Sequence, residues 1–311
     1  MQITKLSIHI HEIPLKTGPR SGALIHLEND QGDSSWGEIS PLPKYSKETL
    51  DNALEQLKQK HHEILHIRWT KQNCFKNLDK LQLLPSVSFG LESALLSLLQ
   101  PLPSYNVEIS ALLMGSLKEI LEQALAKRSE GYVSAKLKVS NLTFAEAADA
   151  ITQLKDQFRL RIDVNRAWDT KDSLQFFSQF PLDAFDYVEE PFQNPHDLAL
   201  FLHPLAVDES YPRDVSFKEL ETFPTLKALI YKPTIQGGML HCLPIHAWAK
   251  KRGVSLVLSS SFESDLGLAN IASMAYRLKV SDPVGIGTHD FLQRYLRTIP
   301  LKFSRSILQV P

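Results

Sequence analysis

The chain has 311 residues, with 34 Lys or Arg against 35 Asp or Glu, so its formal net charge is −1. Hydrophobic residues make up 43% and charged residues 22%, which is ordinary globular composition and excludes a disordered or fibrous chain. The balanced charge, with no basic run, argues against nucleic acid or a membrane as partner, and the length predicts two domains or one large barrel.

The first hundred residues predict strands followed by helices. The chain begins MQITKLSIHI, which lacks the apolar region of a signal peptide. Apolar and polar residues alternate in ITKLSIHIHEI and GALIHLEN, as in half-buried strands, and GDSSWGEISPLP contains a third strand. Leucines at helical spacing predict helices over 47–65 and 87–99, and the prolines of PLPSYN break the chain at 101–106. We therefore expect an α+β domain over residues 1–100.

Beyond this boundary, short apolar segments that end in polar residues alternate with helical stretches. The segments are VEISALL, YVSAKLKV, FRLRIDVN, FDYVEEP, LAVDES, ALIYKPT, VSLVLSSS and PVGIGTHD. Eight strands alternating with helices predict a parallel barrel over 101–290, and residues 291–311 are expected to pack back on the first domain. Because barrel chemistry lies at the carboxyl ends of the strands, the polar residues there should form one ring.

The two cysteines, Cys74 and Cys242, are too few for a disulfide framework and too far apart for a paired metal motif. No stretch approaches the roughly 18 consecutive apolar residues of a membrane span. These features predict reduced thiols in a cytoplasmic protein.

Three lysines in the predicted ring are candidates for proton transfer. Lys136 and Lys138 are two apart in AKLKV, so both side chains lie on one face of a strand. An isolated pair of this kind is typical of a solvated edge strand, but apolar residues flank both lysines. Lys232, in YKPT, comes from a strand on the opposite side of the barrel. Beside a divalent cation the neutral amine is favoured, so Lys138 or Lys232 could act as a base.

Three carboxylates, Asp163, Glu189 and Asp208, end three successive predicted strands. Converging like charges require a cation among them, and hard oxygen ligands suit Mg²⁺. The alternative is three unrelated acids, two of them helix N-caps. With the lysines, the set suits removal of a proton next to a carboxylate while the metal stabilises the enediolate.

The ordered motifs AKLKV, RIDVNRAW, YVEEP, VDES, YKPT and SSSFESDLGL resemble the muconate-lactonizing-enzyme-like branch of the enolase superfamily. SWGEISPLPKYSKETL and PSVSFGLESAL resemble its proteobacterial o-succinylbenzoate synthase family. The resemblance covers both domains. It implies an α/β fold, namely a modified (β/α)7β TIM-like barrel with an N-terminal α+β capping domain. A lysine base working with Mg²⁺ is a general pattern of this superfamily.

The resemblance also implies a role for each site residue. Lys138 matches the base that removes the α-proton and then assists loss of hydroxide on the same face, with Lys136 as its supporting partner and Lys232 as the ammonium opposite. The metal ligands are Asp163, Glu189 and Asp208, for Mg²⁺ or alternatively Mn²⁺. The positions that match supporting or substrate-contacting residues are Arg161, Asn165, Ser259, Ser261 and Gly285. Arg20, in TGPRSG, matches a capping-domain loop that closes over substrate, or is a solvated loop arginine.

The implied activity is that of a carbon–oxygen lyase (a hydro-lyase) acting on a small carboxylate in menaquinone biosynthesis. The substrate is 2-succinyl-6-hydroxy-2,4-cyclohexadiene-1-carboxylate, which loses water by syn elimination to give o-succinylbenzoate. The oligomeric state is left open, a monomer included. Three departures from the family pattern, at Ser140, Tyr231 and Gly287, touch neither a ligand nor a lysine but bear on the fit of the substrate.

Two other functions are compatible with the same fold. The first is a racemase or epimerase of N-acylated amino acids, because two lysines on opposite faces can exchange a proton. Dipeptide epimerases of this branch carry an acidic pair on the last strand, where this chain has Gly285-Ile286-Gly287, so an ammonium-bearing substrate is disfavoured. The second is a binding protein on an inactive scaffold, which is expected to lack a lysine or a ligand, whereas all six are present.

Overall fold

The computed structural model describes residues 1–15, 18–293, 296 and 300–311. The described chain begins with an antiparallel sheet in the order β1-β2-β3, followed by helices α1 to α3. Their bounds are β1 Ile3–Ile13, β2 Arg20–Asn29, β3 Ser34–Ile39, α1 Leu50–His66, α2 Cys74–Leu81 and α3 Pro85–Leu99. The predicted order of strands and then helices is therefore observed.

Helix α3 lies between this sheet and the rest of the molecule. Val87 and Leu91 belong to the apolar core of the N-terminal domain, whereas Phe89 belongs to the core of the barrel. Close packing on β3 depends on two glycines, because a Cβ on Gly37 would lie 1.9 Å from the carbonyl oxygen of Gly90. The two backbones approach more closely than any side chain permits.

The second part of the chain alternates strands and helices. In chain order the elements are β4 Tyr105–Glu108, β5 Ala111–Leu113, α4 Leu117–Ser129, β6 Ser134–Lys138, α5 Phe144–Leu154, β7 Arg159–Asp163, α6 Thr170–Phe177, β8 Tyr187–Glu189, a 3₁₀ helix Pro195–Leu200, β9 Leu205–Val207, α7 Phe217–Leu220, β10 Leu226–Tyr231, α8 Pro233–Gln236, α9 Met239–Arg252, β11 Ser255–Leu258, α10 Asp265–Leu278, a 3₁₀ helix Gly287–Phe291, β12 Lys302–Ser304 and β13 Ile307–Val310.

Strands β5 to β11 form one parallel sheet in sequence order, and the segment around Gly285 closes it. Gly285 pairs with Ser259 after β11, and Val284 pairs with Ile109 before β5, both in parallel. The predicted (β/α)7β barrel is confirmed, with PVGIGTHD as its eighth strand. One predicted segment, VEISALL, is divided between β4 and β5, because Ser110 donates its N–H to the carbonyl oxygen of Val284 at the junction.

The C-terminal segment lies only partly where it was expected. Leu292 bridges to Leu15, and Gln293 donates its N–H to Pro14, so this part contacts the N-terminal domain. The expectation is wrong for the last strands, since β13 pairs with β4 and inserts Leu308 into the core of the barrel. Two effects explain why β13 lies there. The free edge of β4 offers backbone groups for pairing, and burial of Leu308 removes apolar surface from water. Residues 294, 295 and 297–299 lie outside the described residues.

The inside of the barrel is filled below the carboxyl ends of its strands. A small cluster made of Tyr187, Ala206, Ala228, Ile230 and Val257 occupies it. The larger apolar core lies between the strands and the surrounding helices. No described helix is long and apolar enough to cross a membrane.

Candidate active site

The three predicted lysines line a single cavity of about 150 Å³ at the carboxyl ends of the barrel strands. Lys136 and Lys138 lie on the same face of β6, and Lys232 follows β10 directly. In the closed barrel β6 and β10 are four strands apart among eight, which places Lys138 and Lys232 on opposite sides. The structure thus brings the lysines together as the sequence predicted.

Lys136 is held as an ammonium between two carboxylates. Its Nζ lies 2.8 Å from Oδ2 of Asp163 and 2.7 Å from Oε1 of Glu189. Burial by itself lowers the pKa of Lys136, but the charges of Asp163 and Glu189 outweigh it and raise the pKa well above its usual value. Lys136 is therefore a fixed positive charge.

Lys138 has a different environment although it is only two residues away. Its Nζ donates to Oδ1 of Asn165 at 2.9 Å and lies 3.5 Å from Oδ2 of Asp163. Its side chain is 29% exposed, against 17% for Lys136 and 19% for Lys232. Lys138 is thus the most accessible of the three amines, and its closest partner is neutral.

Lys232 forms an ion pair with Asp208. Burial lowers the pKa of Lys232, but the Asp208 carboxylate more than offsets this and the net pKa is raised. The same contact acts on Asp208, where burial raises the pKa and Lys232 pulls it below its ordinary value. The pair holds Lys232 protonated.

The three predicted carboxylates are all buried, but the tightest acidic cluster has a different membership. One carboxylate oxygen from each of Glu189, Asp208 and Glu209 lies within 4.8 Å of the others. Asp163 instead lies beside Lys136 and Lys138. Glu209 was not predicted as a site residue from the sequence, although its position next to Asp208 in VDES could have indicated it.

The protonation of this cluster reflects crowding of negative charge. Burial, and then the charge of Asp163, raise the pKa of Glu189 well above its usual value. Burial, and then Asp208, raise the pKa of Glu209 to about 7. Oε2 of Glu189 is buried and accepts no hydrogen bond from the described residues. These carboxylates cannot all carry a negative charge unless a positive charge lies among them. A hard divalent cation, which prefers oxygen ligands, meets that requirement.

Glu190, the second acid of EEP, orients the adjacent strand end. Its Oε1 accepts the backbone N–H groups of Asp208 at 2.8 Å and Ser210 at 2.9 Å, and its other oxygen accepts the Ser210 hydroxyl. Burial raises the pKa of Glu190 to about 8, with Glu209 as the next cause. This positioning role was also missed in the sequence.

Asn165 connects the base candidate to Asp163. Its side-chain oxygen accepts from Lys138, and its backbone N–H donates to Oδ1 of Asp163 at 3.0 Å. The φ of Asn165 is +49°, a left-handed conformation that asparagine tolerates better than most residues. The predicted supporting position of Asn165 is consistent with these contacts.

Arg161 lies in the barrel but away from the cavity. Its Nε is 3.0 Å from Oδ2 of Asp186, and its guanidinium donates to the carbonyl oxygen of Pro283 at 2.9 Å. Both partners precede their strands, so the guanidinium reaches the amino end of the barrel. The expectation that Arg161 supports the strand ends at the mouth is corrected: it is a buried ion-pair residue at the opposite end.

Ser259, Ser261 and Gly285 line the cavity, as expected. Ser259 Oγ donates to the carbonyl oxygen of Gly285 at 3.1 Å, and a Cβ on Gly285 would lie 2.7 Å from this hydroxyl. Ser261 donates its N–H to Oε2 of Glu263 at 2.6 Å, while its Oγ is buried with no hydrogen-bond partner in the described chain. This buried hydroxyl therefore has unused hydrogen-bonding capacity next to the cavity.

The N-terminal domain contributes Leu42 and Tyr45 to the same cavity. Arg20 is not among the described lining residues, and it is buried at the start of β2 rather than solvated. It donates to the carbonyl oxygens of Ser40 and Pro41, the latter at 2.7 Å. Arg20 therefore supports the loop that carries Leu42 and Tyr45, and the nearby residues 16 and 17 lie outside the described residues.

The three departures from the family pattern lie in different places. Gly287 lines the cavity, and a Cβ there would lie 2.9 Å from the backbone N of Leu112. Ser140 lies in the turn after β6. Tyr231 donates its hydroxyl to the carbonyl oxygen of Gly237 at 3.0 Å, outside the barrel interior. Only Gly287 therefore bears on the shape of the cavity.

Comparison with known proteins agrees with this architecture. Residues 119–311 match the family model described as enolase C-terminal domain-like, and residues 6–98 match the N-terminal domain of MenC. An o-succinylbenzoate synthase of Edwardsiella ictaluri is 33% identical over 288 residues, which cover 89% of this chain and 85% of that protein.

Two solved structures share the fold. MenC of Desulfotalea psychrophila has a TM-score of 0.82 at 21% identity, with both chains fully covered. A dipeptide epimerase of Enterococcus faecalis, complexed with Mg and the dipeptide L-Leu-L-Tyr, has a TM-score of 0.84 at 18% identity, over 100% of this chain and 98% of that one. With the family models and the curated relative, the chain belongs to the o-succinylbenzoate synthase family of the enolase superfamily, a family of lyases.

Proposed function

We propose that the protein is a Mg²⁺-dependent dehydratase that converts 2-succinyl-6-hydroxy-2,4-cyclohexadiene-1-carboxylate into o-succinylbenzoate. The observation that carries the proposal is the placement of Lys138 and Lys232 on opposite sides of one cavity, with buried carboxylates beside both. Membership of the o-succinylbenzoate synthase family supports the choice of substrate.

Three residues are proposed to hold the metal: Asp163, Glu189 and Asp208. Glu189 and Asp208 belong to the tight acidic cluster, and the unpartnered Oε2 of Glu189 fits a cation. A Mg²⁺ ion held by these residues would supply positive charge that stabilises the negative charge developing on the substrate when the proton is removed. Glu209 belongs to the same cluster and is the alternative third ligand to Asp163.

Lys138 performs both proton transfers. Lys138 takes the proton from the ring carbon that bears the carboxylate, and the electron pair of the broken C–H bond moves toward that carboxylate to give an enediolate. This pair then returns to form the third double bond of the ring as the C–O bond at the neighbouring carbon breaks, and Lys138 gives its proton to the leaving hydroxide to form water. The ring becomes aromatic, and no oxidant is required. Lys232 remains an ammonium opposite and stabilises the negative charge.

The first test is a direct ultraviolet assay with purified protein, Mg²⁺ and the cyclohexadiene substrate. Loss of the diene absorbance should depend on the metal and stop on addition of EDTA. Analysis of the product by mass should show loss of one water. A folded, Mg²⁺-loaded protein that leaves the substrate unchanged contradicts the proposal.

A second candidate is racemisation of N-acylated amino acids. It is favoured by the two lysines on opposite sides of the cavity, which could remove and return a proton on opposite faces. Gly285 and Gly287 provide no acid to hold a free ammonium, so an N-acylated substrate fits better than a dipeptide. Incubation with N-succinyl amino acids in D₂O tests it, because racemisation exchanges the α-proton for deuterium.

A further inference from the structure

Glu38, on β3 of the N-terminal domain, caps a helix of the barrel. It is buried, and its carboxylate accepts the backbone N–H groups of Ser264 at 3.1 Å and Gly267 at 2.9 Å. It also accepts the Ser264 hydroxyl. Ser264 is the N-cap of α10 and Gly267 lies in its first turn, where backbone N–H groups have no backbone acceptor within the helix; the Ser264 hydroxyl also accepts from Gly267, at 3.4 Å. The two groups are 226 positions apart in the chain, so the contact joins the domains.

The helix terminus is shaped to accept this carboxylate. A Cβ on Gly267 would lie 2.7 Å from Oε2 of Glu38, so glycine leaves the space that the oxygen occupies. A negative charge at the amino end of a helix also interacts favourably with the helix dipole. The site resembles a helix-terminal anion site that is filled by a side chain of the other domain.

This terminus continues directly from the serine segment of the active site. Ser261, which lines the cavity, is three residues before Ser264, and its N–H is held by Glu263. The Ser261 hydroxyl has no partner among the described residues. A shift of the first turn of α10 therefore displaces Ser261 and changes the lining of the cavity.

We propose that Glu38 is a positioning residue, which holds the segment Ser259–Ser261 in place for recognition of a substrate carboxylate. Glu38 itself does not line the cavity among the described residues, so it acts through α10. The identity of the carboxylate rests on the proposed function, whereas the contact between Glu38 and α10 does not. Ser259 follows β11 and Lys138 ends β6, three strands away around the closed barrel although both line the cavity, so the effect is expected in substrate binding rather than in proton transfer.

Arg277 provides a matched control at the other end of the same helix. It donates from α10 to the carbonyl oxygens of Gln100 at 2.7 Å and Leu96 at 3.3 Å, at the end of α3. Arg277→Gln therefore also weakens the contact between α10 and the N-terminal domain, but far from the cavity. Glu38→Gln keeps the size of the side chain, but it replaces one accepting oxygen with an NH₂ group, which cannot accept the N–H groups of α10.

The experiment compares Glu38→Gln, Arg277→Gln and the unchanged protein, all with Mg²⁺. Glu38→Gln should raise KM for the substrate about tenfold and leave kcat within about twofold, the change expected for loss of one anchoring contact. Arg277→Gln should lower the unfolding temperature without a change in KM. Hydrogen exchange measured by mass spectrometry should be faster over 259–267 in Glu38→Gln than in Arg277→Gln.

The exchange measurement separates this inference from the proposed function. If the unchanged protein has no dehydratase activity but exchange over 259–267 is faster only in Glu38→Gln, the proposed function fails while the positioning contact stands. If exchange and KM respond equally in both variants, Glu38 has only a structural role and the inference is wrong. Should Glu38→Gln not fold, Glu38→Asp keeps the carboxylate but shortens its reach to Ser264 and Gly267, leaves the Ser264 cap intact, and should shift KM in the same direction.

Discussion

The chemistry of the site depends on small differences between neighbouring side chains. Lys136 and Lys138 point from the same strand face into one cavity, yet Lys136 is paired with two carboxylates whereas Lys138 has the neutral Asn165 as its closest partner. An ammonium fixed between two acids gives up its proton with difficulty. The contacts therefore favour Lys138 as the base and Lys136 as a permanent charge.

Lys138→Ala should reduce turnover at least 100-fold, because loss of a general base typically costs two to four orders of magnitude. The unfolding temperature should change little, since Lys138 lies at the mouth and is partly exposed. The ultraviolet assay and thermal unfolding measure the two effects separately. Retained activity assigns the base to Lys232 instead.

Asp208→Asn should weaken Mg²⁺ binding by at least about 10–100-fold, the range typical of losses around a metal site. The substitution removes a charge from the acidic cluster and leaves Lys232 without its ion-pair partner. Titration calorimetry with Mg²⁺ measures the affinity. Asp214→Asn is the control, because Asp214 pairs with Arg166 outside the cluster. Equal affinity in both variants removes Asp208 from the ligand set.

At the scale of elements, the strand ends position the acids by contacts between neighbouring turns. Glu190 follows β8 and holds the backbone of Asp208 and Ser210 after β9. Its φ of +46° turns the chain just after Glu189. One acid of EEP thus faces the cluster while the other orients the next strand end.

Glu190→Ala should lower the free energy of unfolding by about 1–3 kcal/mol, because it leaves buried backbone N–H groups without an acceptor. It should also weaken Mg²⁺ binding through Asp208, although Glu190 is outside the acidic cluster. Urea unfolding and calorimetry measure these effects. A loss of stability with unchanged metal affinity limits Glu190 to a structural role.

At the scale of the whole molecule, buried acids of the N-terminal domain join it to the barrel. Glu92, on α3, accepts the backbone N–H of Leu240 at 3.0 Å and that of Met239, at the start of α9. A Cβ on Gly238 would lie 2.7 Å from its Oε1. With Glu38 at α10, two helices that follow site-bearing strands are capped from the other domain.

We expect the buried carboxyl group of Glu92 to make the free energy of unfolding depend on pH. Burial raises its pKa from 4.5 to about 7, so between these values the unfolded chain is ionised while the folded protein keeps the proton. Its contribution to stability is therefore fully present below pH 4.5 and is lost as the pH rises to about 7.

Urea unfolding of the unchanged protein and of Glu92→Gln at pH 5, 6, 7 and 8 measures this contribution, since other groups titrate alike in both. Relative to Glu92→Gln, the unchanged protein should lose about 2–3 kcal/mol over this range. A difference that does not vary with pH means that Glu92 ionises at its ordinary pKa in the folded protein.

Much of the architecture follows from the sequence because its signals are local. Alternation along strands, helical spacing of leucines and the turn residues between them predict the order of elements, and the carboxyl-end rule then places Lys138, Asp163 and Lys232 around one mouth. The sequence does not predict the packing contact between Gly37 and Gly90, because nothing near either glycine indicates which residue it contacts.

The remaining features depend on which side chains meet in three dimensions. Arg161 reaches the amino end of the barrel, and Glu209 joins the acidic cluster while Asp163 pairs with lysines. Glu38 finds its helix 226 positions away. Periodicity determines the face on which a residue lies, so the sequence alone determined the barrel and the ring of polar strand ends. The tertiary structure decided the partners of each charge, because side-chain reach, burial and contacts between distant segments set the electrostatic balance.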